Sequence, residues 1–410
     1  MWIRWARSIT LLYLYTLVLL FTPLKEWIYS TFSFRLMGAH LYPLDLFIFI
    51  FGFLTIFKLP RILRSARSPN RFLLQLILVY LIFNIFVLVP WSIIDGVRLP
   101  TVFRILSPRL ALIQIPFFFL LLQEETQREG LFRHINFLIL ALFLLALFRL
   151  ATGQIGHTST GELRLFWGGV ALVFGFGASL NFFRKLNYPT RLFAGVASVF
   201  GIITINHRSG YLALFVAGIL GILFIRKRLN YLFILLYSSA ALLIVLYFTA
   251  PVVFFDMLTR LSLVSDLTEG NAVDRLQRWQ LAWMYFKTNW LLGSKLSGQM
   301  YLMALERSSP PHNFLLEVLT REGVVGLFFY LIILLKGIML GFRNSLYSST
   351  TLSLSISLIF YLTFCLFNTN FLHPNNVLFM TLPLAAIMAI DNILTKQATA
   401  QPIVKDGWDQ

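Results

Sequence analysis

The chain is dominated by long apolar segments, and this limits its fold more than any other feature. A helix crossing a hydrocarbon layer about 30 Å thick needs about 20 mostly apolar residues. Backbone at that depth must satisfy its own hydrogen bonds, so helices are the natural solution. Twelve segments qualify, at about 8–22, 44–57, 72–90, 101–122, 135–151, 165–183, 192–206, 211–225, 229–250, 323–341, 350–367 and 376–393. The second, seventh and eighth are short, as tilted, broken or extended helices would be. Composition agrees: 58% of residues are apolar and 12% charged, against roughly 25% charged in an ordinary soluble domain. Soluble globular, disordered, collagenous and disulfide-scaffold classes are thereby excluded. The single cysteine, Cys365, lies in an apolar run, so no disulfide or cysteine metal site forms within one chain. The expected fold is an all-α polytopic membrane protein of about twelve transmembrane helices.

The chain carries 34 basic and 17 acidic residues, a net charge of +17. Their placement explains the excess. With the N-terminus inside, the inner segments hold Arg4 and Arg7, then Lys58, Arg61, Arg64, Arg67 and Arg71, then Arg128 and Arg133. Arg184, Lys185, Arg191, Arg226, Lys227, Arg228, Arg343 and Lys396 follow on the same side. Short outer loops carry chiefly Lys25, Arg35, Arg98 and Arg164. The positive-inside rule then puts both termini in the cytoplasm. The charge reads as topology and attraction to anionic membrane lipids, with no nucleic-acid partner. The first apolar segment is followed by Pro23, Lys25, Glu26 and Trp27, without a small-residue cleavage site. It is expected to be a span rather than a cleaved signal.

The expected organisation is nine spans over 1–250, an outer loop over 251–312, three spans over 313–393 and a short polar tail over 394–410. The loop is basic, and long loops cross regardless of charge. Within it, residues 273–287 have a helical period, which sets Arg275 and Arg278 together at i, i+3. Leu276, Leu281, Trp283, Met284 and the ring of Trp279 are left to lie on lipid or protein. Pro310 and Pro311 close the loop and stop any preceding helix.

Three outer places hold residues suited to chemistry. They are His207-Arg208-Ser209-Gly210, then Asp274-Arg275 through Arg278-Trp279, then His312-Asn313 followed by Glu317, Arg321 and Glu322. Arginine offers a permanent charge and a fork that matches phosphate oxygens. Several arginines at one membrane surface form a diphosphate clamp. His312 precedes a helix expected to open at Asn313, where the helix field favours an anion and disfavours imidazolium. A neutral base beside a cationic clamp suits group transfer from a diphosphate. Each place also has a plainer reading. Arg208 can snorkel to headgroups, and Arg275 and Arg278 can belong to an interfacial helix on anionic lipid. His312 can be a solvated loop residue. Gly323 and Gly326 read as close helix packing. Asp45, Asp95, Glu317 and Glu322 can orient basic partners, and His157 and His373 read as structural. No Asp-x-Asp triplet, His-Glu-x-x-His or phosphate-binding Gly-rich Lys-Ser/Thr loop occurs, so no metal site and no cofactor is expected.

Taken together, Arg208-Ser209-Gly210 opening a mid-chain span, Arg275-x-x-x-Trp279 in a long outer loop, His312-Asn313, and Glu322-Gly323-x-x-Gly326 entering the next span resemble the O-antigen ligase and O-antigen polymerase superfamily of bacterial inner-membrane glycosyltransferases. The resemblance covers roughly residues 165–345. Leu292-Gly293-Ser294-Lys295 departs from it, where the family more often has a proline-led Gly-x-Gly.

This resemblance implies a GT-C-like all-helical fold. It also implies inverting, metal-independent transfer of a glycan from an undecaprenyl diphosphate carrier at the periplasmic face. By matching position, Arg208 and Arg275 would hold the diphosphate and His312 would activate the acceptor hydroxyl. Arg278 is added from helical spacing; Trp279, Asn313, Glu322 and His207 complete the expected substrate-binding set. A ligase would deliver the glycan to lipid A–core oligosaccharide, and a polymerase to a second lipid-linked glycan. The ligase is the favoured reading. A transporter or flippase is the rival from another class. Against it stand the lack of repeated halves and the concentration of conspicuous basic residues at one surface rather than near mid-membrane.

Overall fold

A computed structural model of the chain describes residues 2–20, 42–154, 169–183, 189–205, 207–224, 270–294, 312–368 and 374–400, with short pieces between 28 and 41, 156 and 164, and 237 and 258. The helices in these stretches are α1 (Trp2–Leu19), α2 (Pro43–Ser65), α3 (Ser68–Ile94), α4 (Leu99–Leu121), α5 (Glu125–Ala151) and α6 (Val170–Phe182). They continue with α7 (Pro189–Ile205), α8 (Arg208–Phe224), α9 (Gly270–Thr288), α10 (Phe314–Asn344), α11 (Ser349–Leu366) and α12 (Pro374–Ala400). Two small antiparallel hairpins interrupt the helices, Phe34–Leu36 with Ala39–Leu41 and Gly156–His157 with Leu163–Arg164.

Among the described residues seven helices, α2 to α5 and α10 to α12, are long and apolar enough to cross a membrane, and α6, α7 and α8 are shorter apolar helices. Eleven of the twelve expected spans fall on α1 to α8 and α10 to α12. The ninth, 229–250, lies almost wholly outside the described residues, as do Pro310, Pro311 and His373. The expected loop helix at 273–287 is α9. The expected polar tail is shortened, because α12 continues past Asn392 to Ala400.

Local chemistry accounts for the irregular places. Pro43 occupies the first turn of α2, where its missing N–H is not needed. There the Asp45 carboxylate accepts from the Tyr42 N–H at 2.9 Å. In α3 a wider π turn spans Asn84–Leu88 just before Pro90. The pyrrolidine ring clashes with a regular α turn, and a π turn gives it room. In α4, Pro108 is followed by a 3₁₀ turn at Ala111–Ile113.

One contiguous core joins the bundle, with Ile139, Phe174, Leu358, Leu384 and Met388 all buried in it. α6 is buried on every side. Its Gly175 lies under Phe360, and its Gly177 against Ile139 and Ser198, so an added Cβ would collide at either place.

The bundle has two distinct ends. α10, α11 and α12 run up, down and up through short connections, so the start of α10 and the finish of α11 share one end. At the other end Asp391 of α12 accepts from Arg343 of α10, Asn344 and Asn70 of α3, each at 2.8 Å. The Arg67 N–H donates to Asn392 there as well, at 3.1 Å. Three segments expected on the inner side, around Arg67, Arg343 and Lys396, thus meet at one end.

Candidate functional site

The expected site residues stand on α8, α9 and α10. His207 precedes α8, and its carbonyl accepts from the Gly210 N–H at 2.8 Å and the Tyr211 N–H at 3.2 Å. Its Nδ1 pairs with Ser209 Oγ at 2.6 Å. Ser209 Oγ also accepts from Asn368 Nδ2, beyond the finish of α11. The His207 ring packs on Phe364 of α11, with centroids 5.4 Å apart. Asn368 is itself held to the Phe364 carbonyl at 2.9 Å. The α11 finish therefore fixes the α8 start, and with it the backbone carrying the half-buried Arg208.

At the same end, Asn313 caps α10. Its Oδ1 accepts from the Leu316 N–H at 3.1 Å, which satisfies one of the donors that a helix start leaves over. The helix thus opens where the sequence indicated. His312 sits just outside it at φ 51°. A left-handed conformation is uncommon for a residue with a side chain. It turns the chain sharply into the helix and leaves His312 half-buried.

α10 is not continuous. Gly323 has φ 65° and ψ −165°, which breaks the helix after Glu322. Into that break fits the turn that follows α9. Ser294 N–H donates to the Thr320 carbonyl at 2.6 Å, Val324 N–H to Trp290 at 2.9 Å, and Val325 N–H to Leu291 at 3.3 Å. These are backbone groups that the break would otherwise leave unpaired. The turn carries a second left-handed glycine, Gly293, at φ 64°. A Cβ on Gly293 would lie 2.5 Å from the Arg321 carbonyl carbon, and one on Gly323 would lie 2.2 Å from the Leu291 oxygen. Two glycines facing each other let two backbones touch. The departure noted in the sequence is accommodated here: Gly293, facing Gly323, supplies the close approach. Gly323 allows the close packing expected of it, against the α9 turn, and also breaks the helix.

α9 is thereby held against α10. Its inward face carries Arg278, at 9% exposure, and Ala282, at 0%. Arg275 is half-buried one turn before Arg278, and Trp279 is half-buried beside it. Leu276, Trp283 and Met284 are exposed on the other side. The arginine face is turned to the protein and the apolar face outward.

Below the break lies a buried charge cluster that the sequence reading missed in part. Glu322 is fully buried; one oxygen accepts from Arg109 Nε and the other from the Tyr80 hydroxyl, both at 2.6 Å. Arg109 Nη1 reaches the Ile105 carbonyl at 2.7 Å. Gly326 leaves room for the Glu322 side chain, which a Cβ there would strike at 2.2 Å. Glu322 therefore orients a basic partner, Arg109, one of the possibilities open to it from sequence. Glu317 is buried next to Arg321, whose Nε lies 3.3 Å from Glu317 Oε1.

Arg109 and Tyr80 are not among the expected site residues, and Arg109 corrects the expectation that basic groups avoid the middle of an apolar helix. It stands in the middle of α4, and its partner Tyr80 in the middle of α3. The signal was present: an ionisable residue inside an apolar span marks function or a buried partner by default. Asn368 carried no such signal.

Residues 193–331 match the family model described as O-antigen ligase. The match supports membership in the ligase and polymerase superfamily indicated by the sequence motifs. It takes in His207, Arg208, Arg275, Arg278, Trp279, His312, Asn313 and Glu322. No curated protein sequence matches the chain.

Proposed function

We propose that this multi-pass member of the O-antigen ligase and polymerase superfamily transfers a glycan from an undecaprenyl diphosphate carrier to lipid A–core oligosaccharide at the outer face of the bacterial inner membrane. Both termini lie in the cytoplasm. The observation that carries the reading is the seating of the α9 turn in the broken α10. It ties an arginine-bearing loop helix to the helix that His312 and Asn313 open, all inside the matched segment.

Arg275 and Arg208 hold the diphosphate, with Arg278 supporting the charge from the buried face of α9. Arginine forks suit this role, because they grip phosphate oxygens bidentately. The acceptor hydroxyl attacks the anomeric carbon and gives its proton to the His312 imidazole. The bond to the diphosphate oxygen breaks on the opposite side, so configuration inverts. Undecaprenyl diphosphate leaves with its charge met by the arginines, and no metal is required. His207, Trp279 and Asn313 shape the site around the substrates. Glu322 acts from within, by fixing the break.

Single-turnover transfer and donor binding, measured for variants that insert normally, test the assignment. His312→Ala loses about 10²- to 10⁴-fold in turnover while keeping donor binding, as removal of a general base does. Arg275→Ala weakens both, and Arg275→Lys rescues poorly, because a point charge does not replace a fork. Transfer persists in chelator. Near-normal turnover by His312→Ala ends the base assignment, and full activity in Arg275→Lys reduces the clamp to interfacial charge. Supplying one lipid-linked donor separates the two family activities. Capping of lipid A–core marks a ligase, and carrier-bound ladders mark a polymerase.

A further inference from the structure

Sixteen residues separate Phe314 from Tyr330 in α10. In a straight helix, rising about 1.5 Å per residue, that is about 24 Å, too far for two ring side chains to meet. Their ring centroids nevertheless lie 5.4 Å apart. The break at Gly323 therefore folds the first segment of α10, 314–322, sharply across the second, 324–344. Phe314, Glu317 and Val318 of the first segment follow helical spacing and are buried as one face. The result is a triangle. Gly323 is its vertex, the two segments are its sides, and the Phe314–Tyr330 pair closes it.

The closing pair is anchored from outside α10. The Tyr330 hydroxyl donates to Met380 Sδ of α12 at 3.0 Å. Tyr80 of α3 touches both sides of the break. Its hydroxyl donates to Glu322, the last residue of the first segment, at 2.6 Å. Its ring packs on Tyr330 and Phe329 of the second, with centroids 6.4 and 6.1 Å apart. Phe314, Tyr330 and Tyr80 are all buried, and rings in such contact hold a defined geometry. His312 stands two residues before Phe314, at the free corner of the triangle, and Asn313 ties it to the first helical turn. The arm from Gly323 to this corner is about 13 Å long, so a swing of about 5° moves its tip by about 1 Å.

We propose that Phe314 and Tyr330, steadied by Tyr80, are positioning residues for the transfer: their contact fixes the angle of the first α10 segment and so holds the His312 imidazole where it takes the acceptor proton. The inference rests on the base assignment to His312. It gives a part in the site to α3, which lies outside the segment matched by the family model. The α9 turn, by contrast, is bonded at the vertex, to Thr320, Val324 and Val325. The tip of the arm can therefore move without unseating the arginine-bearing helix.

The test measures single-turnover transfer, donor binding and amide hydrogen exchange over 314–322 in full-length variants in detergent. Phe314→Ala loses about 100-fold in turnover, the effect of misplacing a reacting group by an ångström. It keeps wild-type donor binding, and its amides over 314–322 exchange faster. Tyr330→Leu does the same, and takes its place where Phe314→Ala fails to insert. Tyr330→Phe keeps the ring and most of the turnover. Phe118→Ala removes an equally buried ring from α4, packed on Phe51; it lowers stability and leaves turnover per inserted protein unchanged. Wild-type turnover in Phe314→Ala, beside the loss in His312→Ala, overturns the positioning role and leaves the base assignment standing. Wild-type turnover in both overturns the base assignment and this inference with it. Equal loss of turnover and donor binding in Phe314→Ala, or a matching loss of turnover in Phe118→Ala, reduces the ring pair to ordinary core packing and overturns the inference.

Discussion

Gly323→Ala is the substitution that most directly probes how α9 is held. At φ 65° and ψ −165° the backbone of Gly323 occupies a region closed to side chains, and forcing one in costs about 1–3 kcal/mol. The new methyl group would lie 2.2 Å from the Leu291 oxygen, 2.4 Å from its carbonyl carbon and 2.6 Å from the Gly293 nitrogen. These are backbone atoms, so no side chain can swing aside. The α9 turn has to move outward by about 1 Å to reach ordinary contact. That movement breaks the bonds from Ser294, Val324 and Val325, each contributing about 1 kcal/mol. Strain and lost bonds together come to about 4–6 kcal/mol, more than a local docking contact withstands. The turn should therefore leave the break while the rest of the bundle holds.

Two glycines supply controls. Among the described residues nothing lies within 4 Å of a Cβ built on Gly218 in α8, so Gly218→Ala should be neutral or slightly stabilising, as in any helix interior. Gly96 has φ +78° but open space around it, so Gly96→Ala carries strain without collision, about 1 kcal/mol. Gly293→Ala should reproduce Gly323→Ala from the other side of the contact. The assays are glycan transfer and amide hydrogen exchange across residues 289–294. Gly323→Ala should lose about 100-fold in transfer, the effect of misplacing a substrate-holding group by an ångström, and exchange in the turn should rise. Wild-type exchange together with wild-type transfer in Gly323→Ala would show that the turn does not depend on this contact.

Further expectations follow from the same structure. Glu322→Leu leaves Arg109 buried without its carboxylate and should lower thermal stability in detergent by about 3–5 kcal/mol. The double variant Arg109→Met/Glu322→Leu should recover much of that loss; equal stability of single and double variants would remove the ion pair as the cause. For topology, a single cysteine at residue 266 should label from outside and one at residue 66 should not, in a Cys365→Ser background. The opposite pattern would reverse the membrane orientation and the proposed site with it.

The described apolar helices were legible in the sequence because burial in lipid imposes a local rule, an unbroken apolar run, that needs no knowledge of neighbours. So were α9, from its 3.6-residue period, and the opening of α10 at Asn313, from a capping side chain that works within one turn. The arginines and His312 stood out because their neighbours in the chain form motifs. Other features are products of contact across long stretches of chain. Arg109 and Tyr80 meet Glu322 across sequence separations of 213 and 242 residues, and no pattern along the chain pairs them. Gly323 read as ordinary helix packing because a glycine in an apolar run looks the same whether it is packed or broken. Only its partner, the Gly293 turn, makes it a break, by supplying carbonyls for the amides that the broken helix leaves over. Likewise Asn368 gains its role from the antiparallel return of α11, which carries it to Ser209 at the start of α8. The sequence by itself determined which segments form apolar helices and which groups could do chemistry. Tertiary structure decided which of those groups are tied together, because buried charge and unpaired backbone are satisfied by whatever the fold brings alongside.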